Sequence, residues 1–442
     1  MKCYTAYKDS GIEWLGDIPK EWSLKKLKYI SRVNSLSLSE TTKEDYEFNY
    51  IDIGNVDIEK GFNLGEKIRF EKAPSRARRI VRKGNTIVST VRTYLKAIAY
   101  IGDDVEDVIV STGFAVINPN KEIEPKFLYY LLRSEKFIDR ICALSVGVSY
   151  PAINSSELSS IDAWFPNKDD QNKISAYLDR KAESIEKLIV KKERMIELLK
   201  EERKTILNQA ITKGLEPKVE TKDSGIEWLG KVPKHWKIGK IRFAFSVTSG
   251  NGFPDDLQGK SEGKYPFYKV SDINLPGTNV SEANNYVSKE DVLTRRWNVI
   301  LKGSILLAKI GAALAKNHRK VSLMDCLIDN NMMAVTPSDI NGSLKYHYYL
   351  MSVIQMEWFS NPGAVPSVDM NRFLSFYIPD IQHDEQKTIA DYLDRKLAQI
   401  DSHVDVVNSS IELLKEYRTS LISEAVTGKI DVSTALNTGA RG

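Results

Sequence analysis

Two stretches of the chain place apolar residues on alternating three- and four-residue steps. The later one runs Leu393, Leu397, Ile400, Val404, Val407, Ile411, Leu414, Leu421 and Ala425, interrupted by Arg418. The earlier one runs Leu178, Ala182, Ile185, Ile189, Ile196, Leu199, Ile206 and Ala210, interrupted by Lys192 and Arg203. This is the a/d seam of a coiled coil, narrower than the face by which a helix packs on a globular body. No proline or glycine falls inside either stretch, and each runs into a glycine, Gly214 or Gly428, as a helix end should. At 1.5 Å per residue such a helix makes a rod of roughly 50 Å. The expected partner of each seam is the other, running antiparallel if a two-fold axis relates them.

Ahead of each seam the pattern changes to short β-rich runs. "TIVSTV" (86–91), "VIVSTGFAVI" (108–117), "ILLAKI" (305–310) and "NMMAVTP" (331–337) read as strands. "PKFLYYLLRSEKFIDRIC" (125–142) and "LKYHYYLMSVIQMEWF" (344–359) read as helices whose aromatic and aliphatic stripes face a core. Fold class is therefore α/β (α+β): two globular domains, pseudo-two-fold related, separated by two long helices in an antiparallel coiled coil.

These elements recur. "DSGIEWLGDIPKEW" at 9–22 returns as "DSGIEWLGKVPKHW" at 223–236, 214 residues on. "KGNTIVS" (83–89) answers "KGSILLA" (302–308), and "YLDRK" at 177–181 repeats at 392–396. The order never changes, so the chain is two copies of one unit. The copies agree at their ends and differ in the middle, which suggests one scaffold carrying two different readers. The expected divisions are a scaffold segment 1–22, a recognition domain 23–165, a spacer helix 166–215, a repeated scaffold segment 216–236, a second recognition domain 237–380, a second spacer helix 381–430 and a mobile tail 431–442.

Composition is that of an ordinary globular chain: 442 residues, 42% apolar and 28% charged, with a mean hydropathy of −0.33. No apolar run is long enough to span a membrane, and the opening residues lack a signal-peptide core. Three scattered cysteines suit a reducing cytosol. Net charge is only +4, so the global balance does not announce a nucleic acid. The local balance does. Residues 67–101 carry ten Lys/Arg against one acid, Glu71; residues 292–324 carry seven against none. Both zones surround the "KG" strand, and two coincident basic zones fit phosphate contacts better than a solvated face.

The candidate DNA contacts follow from those zones and the loops beside them. In the first copy they are Arg76, Arg78 and Arg79, then Ser89, Thr90, Arg92, Thr93, Tyr94 and Lys96, with Ser149 and Tyr150 from a second loop. In the second copy they are Arg295 and Arg296, then Lys309, Lys316, Asn317, His318 and Arg319, with Asn330, Asn331 and Ser367. Arginine suits guanine O6/N7 and asparagine adenine N6/N7, so Arg92 and Asn317 are expected to touch bases. No chemistry accompanies them. GxGxxG, HExxH and [DN]PP[YF] are missing, Pro254 occupies the place a P-loop glycine would need before "GKS" (259–261), and the two PD…ExK-like strings are too tightly spaced for a nuclease. No catalytic or metal site is expected; the chain reads as a binder. A coiled-coil adaptor between proteins, never touching DNA, is the alternative.

The repeated "DSGIEWLG…P..W", the "KG" strand and "DEQKTIADYLDRK" (384–396) together resemble the specificity subunit of Type I restriction–modification systems. The match spans about residues 9–430. The first copy, "DDQNKISAYLDRK" (169–181), departs by having Asp170 where glutamate is usual. The resemblance implies a non-catalytic, cytoplasmic prokaryotic protein. Each recognition domain would read one half of a split, asymmetric target in double-stranded DNA, with the coiled coil as the ruler. It implies two modification subunits that methylate adenine N6, and restriction subunits carrying nuclease and translocase activity. S-adenosylmethionine, ATP and magnesium would sit on those partners, with no cofactor on this chain. The "YLDRK" segments and the two "EWLG" segments would lie in the frame where partners dock.

Overall fold

Each heptad stripe becomes one unbroken helix, Lys168–Lys213 and His383–Val426. The computed structural model describes residues 3–59, 61–102, 107–339, 341–361 and 363–432; most of the tail expected to be mobile lies outside them. By contacts the chain divides into two compact units, residues 1–193 with 408–442, and residues 194–407. Each unit holds one globular domain, half of the helix continuous with it, and half of the other helix.

Within each unit the two half-helices run antiparallel and close the seam. In the first, Leu178, Ile185, Ile189, Ile411 and Leu421 are buried and Leu414 half-buried. In the second, Leu393, Leu397, Ile400 and Val407 are buried, with Ile196, Leu199, Ile206 and Val404 half-buried. The two arginines that break the apolar series reach across it. Arg418 Nη1 meets Glu186 Oε2 at 3.2 Å, and Arg203 Nε meets Asp401 Oδ1 at 3.0 Å. Both arginines and both acids are 215 residues apart, so each unit keys its seam with the same cross-helix pair. Arg418 Nη2 also reaches Glu59 Oε1 at 3.5 Å. A charged pair in an apolar seam specifies register more than it adds stability.

The repeated opening motif closes the end of a long helix. At the end of the second helix, Gly428 lies so near the first motif that a Cβ there would fall 2.3 Å from Pro19 Cγ. Tyr7 Oη donates to the Gly428 carbonyl at 2.9 Å, and Trp164 Nε1 donates to that of Val426 at 2.8 Å. In the other unit Gly214 ends the first helix against Trp236 of the second motif. Trp22 and Trp236 are almost fully buried. Two helix ends need two such covers, which is why the motif is written twice.

The globular domains share a plan. In the first, among the described residues, one sheet has the order Ile98–Tyr100, Thr86–Ser89, Phe114–Pro119, Ser31–Val33. The second domain matches it with Lys320–Ser322, Ile305–Ala308, Met332–Pro337, Phe245–Ser249, adding Asn279–Val280 at the edge. A second sheet in each contains one parallel pair, Val108–Ser111 with Glu47–Ile51 and Leu327–Ile328 with Tyr265–Tyr268. The "KG" glycines, Gly84 and Gly303, both stand at φ 84°, a left-handed turn that delivers the chain into the central strand.

Two expected elements are split. The run 108–117 is two strands, Val108–Ser111 and Phe114–Pro119, in different sheets, turned where Ser111 Oγ accepts from the Gly113 N–H. The run 125–142 is two helices, Pro125–Leu132 and Glu135–Leu144, because Ser134 caps a new helix by accepting from the Phe137 N–H. In the second copy the helix stops at Val353 and a short 3-10 turn, Met356–Phe359, follows.

Polar side chains of the "DEQ…YLD" segment bind each domain to its long helix. Asp179 accepts from Tyr130 Oη at 2.7 Å and from Lys126 Nζ at 2.5 Å. Asp394 accepts from Tyr349 Oη at 2.5 Å and from Lys345 Nζ. Buried Gln171 accepts from the Glu124 N–H and donates to the Glu122 and Pro166 carbonyls. Gln386 accepts from Ser343 and donates to Ile381. Glu385 accepts from Trp236 Nε1 at 2.9 Å. Its counterpart Asp170, one methylene shorter, holds Lys173 and Asn167 instead, while Trp22 packs edge-on against the Tyr4 ring at 5.8 Å.

The copies also differ where Phe127 and Leu128 of the first become Tyr346 and His347 of the second, all four buried. Burial pulls the His347 imidazole down to about 4, against the weaker opposing influence of Asp339.

Two predictions follow from these contacts. Asp394→Ala strands the Tyr349 hydroxyl and the Lys345 ammonium, and should lower the unfolding free energy of the unit, read from urea titrations, by about 1–2 kcal/mol; Asp179→Ala should do the same to the other, and the two losses should add because they share no partner. His347 is neutral when folded but protonates below 6.5 when unfolded. It therefore costs nothing above pH 7, and its penalty grows as pH falls from 6.5 to about 4, reaching at most about 3 kcal/mol. His347→Leu, the first copy's residue type, should gain more stability at pH 5 than at pH 7 in urea titrations.

Candidate nucleic-acid interface

In the first domain two loops meet at one edge. The loop after Thr86–Ser89 makes a 3-10 turn over Thr93–Leu95, entered through Arg92 at φ 51° and left through Lys96 at φ 51°. The loop 145–152 lies beside it, held by a bridge between Val91 and Ala152. Thr93 Oγ1 donates to Ser145 Oγ at 2.9 Å, and the Ile153 N–H donates to the Thr90 carbonyl at 2.9 Å. The sutured pair exposes Arg92, Tyr94, Lys96, Ser149 and Tyr150. The Arg92 guanidinium stacks over the Tyr150 ring at 4.8 Å. Arg92 enters no ion pair among the described residues, so its donors remain available. A non-glycine residue in the left-handed region costs on the order of 1 kcal/mol, a strain typical of functional positions.

The second domain repeats the suture with other residues. Ile310 bridges Ser367, the Gly311 N–H donates to the Pro366 carbonyl at 2.8 Å, and the Val368 N–H to the Lys309 carbonyl at 3.0 Å. Gly311 (φ 85°) stands where the first loop has Arg92, and Asn317 (φ 51°) where it has Lys96. A short helix, Ala313–Lys316, replaces the 3-10 turn. Lys316, His318, Asn330 and Asn331 are exposed; Lys309 and Ser367 are half-buried at the suture.

Several expected contacts are internal. Ser89 and Thr90 are buried and donate to the carbonyls of Val91 (2.5 Å) and Gly113 (2.9 Å), and Thr93 is buried in the loop suture. Asn317, expected on a base, accepts from the Met356 N–H at 3.0 Å and donates to the Ile354 carbonyl at 3.3 Å. Arg319 is buried, its guanidinium donating to the carbonyls of Met351 and Ile354, and burial draws it down to about 9. These five side chains are bonded internally, and there they shape the loops.

The remaining cations differ in freedom. Arg76 is exposed but paired with Asp52 at 3.2 Å, and Arg78 lies over the Phe70 ring at 5.0 Å. Arg79 is half-buried within Ala77–Ile80. Arg295 pairs with Asp256 at 3.0 Å, while Arg296 is exposed at φ 55°. The aspartate and glutamine of the repeated helix motif went unassigned as individual residues. Their signal was present: Lys126-x-x-x-Tyr130 and Lys345-x-x-x-Tyr349 recur in step with Asp179 and Asp394.

Known proteins share this build. The family model for the Type I restriction modification DNA specificity domain matches residues 19–197 and again 233–412. The MjaIX specificity subunit of Methanocaldococcus jannaschii is 24% identical over 443 residues, covering 97% of both chains. The HindI specificity subunit of Haemophilus influenzae is 28% identical over 146 residues, 31% of this chain and 32% of that one. A chain solved in work on complex assembly and conformational transition of the type I R-M system superposes with a TM-score of 0.75, at 21% identity, over 93% of this chain and 99% of its own. The HsdS subunit of Thermoanaerobacter tengcongensis gives 0.56 at 21% identity, over 93% and 98%. With the specificity-domain pattern matched twice across most of its length, on a duplicated frame of helices and paired loops, the chain belongs to the Type I restriction–modification DNA specificity family.

Proposed function

We propose that this chain is the sequence-reading subunit of a Type I restriction–modification assembly. Each globular domain reads one half of a bipartite, asymmetric target, and the paired helices set the gap between the halves. The observation that carries this reading is the loop suture. Both domains build it on the same backbone bridge, yet one presents Arg92, Tyr94 and Lys96 and the other Lys316 and His318. A shared frame with unlike exposed donors is what two different half-sites require.

The chain itself performs no chemistry in this reading. Two modification subunits dock on the repeated frame and transfer methyl groups from S-adenosylmethionine to adenine N6. Restriction subunits add magnesium- and ATP-dependent cleavage and translocation. The assembly works in the prokaryotic cytoplasm; no helix among the described residues is long and apolar enough to cross a membrane. The adaptor alternative gives no reason for exposed cations at the tips of both sutured loops.

The test is duplex binding by the chain assembled with its modification subunits. Affinity should fall steeply with salt, because released counterions drive it. Arg92→Gly should weaken specific binding about tenfold, within the range of one lost guanine contact. The same change should raise the melting midpoint slightly, since glycine relieves the left-handed strain. Binding that ignores both salt and Arg92 would favour the adaptor.

A further inference from the structure

In the loop of the second domain, consecutive side chains alternate between outside and inside. Lys316 and His318 are exposed, Asn317 is half-buried and Arg319 is 5% exposed. The two inward residues converge on the end of the helix Leu344–Val353. Arg319 Nε donates to the Met351 carbonyl at 3.1 Å and Nη2 to the Ile354 carbonyl at 3.0 Å. Nη1 donates to the His318 carbonyl at 2.9 Å, and Nη2 also to Asn317 Oδ1 at 2.6 Å. Asn317 adds its own bonds to Ile354 and Met356.

This is a buried cation with no carboxylate partner among the described residues. What it meets is a helix C-terminus, where the last carbonyls lack intrahelical donors and the helix dipole is negative. A guanidinium fork can satisfy several such carbonyls in one plane; an ammonium cannot. The first domain seats its loop on a different helix end, with neutral groups. There Thr93 binds Ser145 at the end of Glu135–Leu144, and Cys142 Sγ lies 3.9 Å from the Thr93 carbonyl.

We propose that Arg319 and Asn317 form a positioning clip that seats the 309–319 loop on the end of the 344–353 helix, so that the readout by Lys316 and His318 depends on two side chains that cannot reach DNA. Resting on the reading of the loops as DNA readers, this assigns the clip a role in specificity at one half-site only. Freed from its seat, the loop would still carry its cations. It would keep electrostatic affinity for any duplex and lose the fixed orientation that tells bases apart.

The experiment uses the full chain with its modification subunits. Methylated adenines in host DNA define the target, and binding is measured to the cognate duplex and to duplexes altered in one half or the other. Arg319→Met, and separately Asn317→Gly, which keeps the left-handed backbone and deletes the amide, should cut discrimination at the second domain's half about tenfold. Discrimination at the first domain's half and binding to unrelated duplex should stay unchanged. Arg319→Lys should restore only part of the loss. Unchanged discrimination in a folded Asn317→Gly protein, equal loss at both halves, or full rescue by lysine would overturn the proposal. Arg92→Ala serves as the reference: it should affect the opposite half, and if it affects neither half the DNA-reading assignment fails, independently of the clip.

Discussion

A heptad stripe on a helix of more than forty residues has to be covered. Burying each leucine or isoleucine in it is worth roughly 1.5–3 kcal/mol, a gain that a solvated single helix forfeits. In both units the cover is the other long helix, running the opposite way. Much of the chain's organisation follows from that requirement. One compact unit joins both ends of the sequence, residues 1–193 with 408–442, and the other is the continuous stretch 194–407 between them. The helix ends must then be roofed, and the tryptophan motif does so at Gly214 and at Gly428.

The closures that hold this frame are polar and paired, which explains why they resist divergence. Gln171 satisfies backbone groups on both sides of it, and Gln386 does the same in the second copy. A buried amide that loses one partner is left with an unmet group, so motif and backbone must change together or not at all. Where an exchange did occur, the geometry compensated. Asp170 in place of Glu385 does not bond the tryptophan indole but holds Asn167 and Lys173, and the Tyr4 ring packs edge-on against Trp22. Loop tips are less constrained: among the described residues the side chains of Arg92, Lys316 and His318 enter no ion pair, and Arg92 only lies over the Tyr150 ring.

The frame was legible because it obeys periodicity. All seventeen predicted seam positions, from Leu178 to Ala425, are buried or half-buried. The breaks at Ser134 and at Thr112–Gly113 were less legible. Apolar runs on both sides continue the pattern, and only a local side-chain-to-backbone bond ends it. Least legible was the direction of each loop side chain. "KNHRK" has the composition of a phosphate-binding tip, and two of its residues, Lys316 and His318, are exposed. Arg319 and Asn317 turn inward because a helix C-terminus waits beneath them, brought there by chain some thirty residues further on, and no local pattern carries that fact.

The two recognition loops therefore share a path and differ in content. Positive φ recurs at equivalent points, Arg92 with Gly311 and Lys96 with Asn317, on loops with different secondary structure between them. The backbone course is fixed by the bridges Val91–Ala152 and Ile310–Ser367, not by the identity of the residues at the bend. Glycine takes the left-handed point without strain in one domain. In the other an arginine accepts that strain, and its side chain is carried outward over Tyr150. A domain whose loop path is set by main-chain bonds can exchange the side chains on that path without refolding, and the strain at Arg92 marks a position where an exposed guanidinium outweighed local stability.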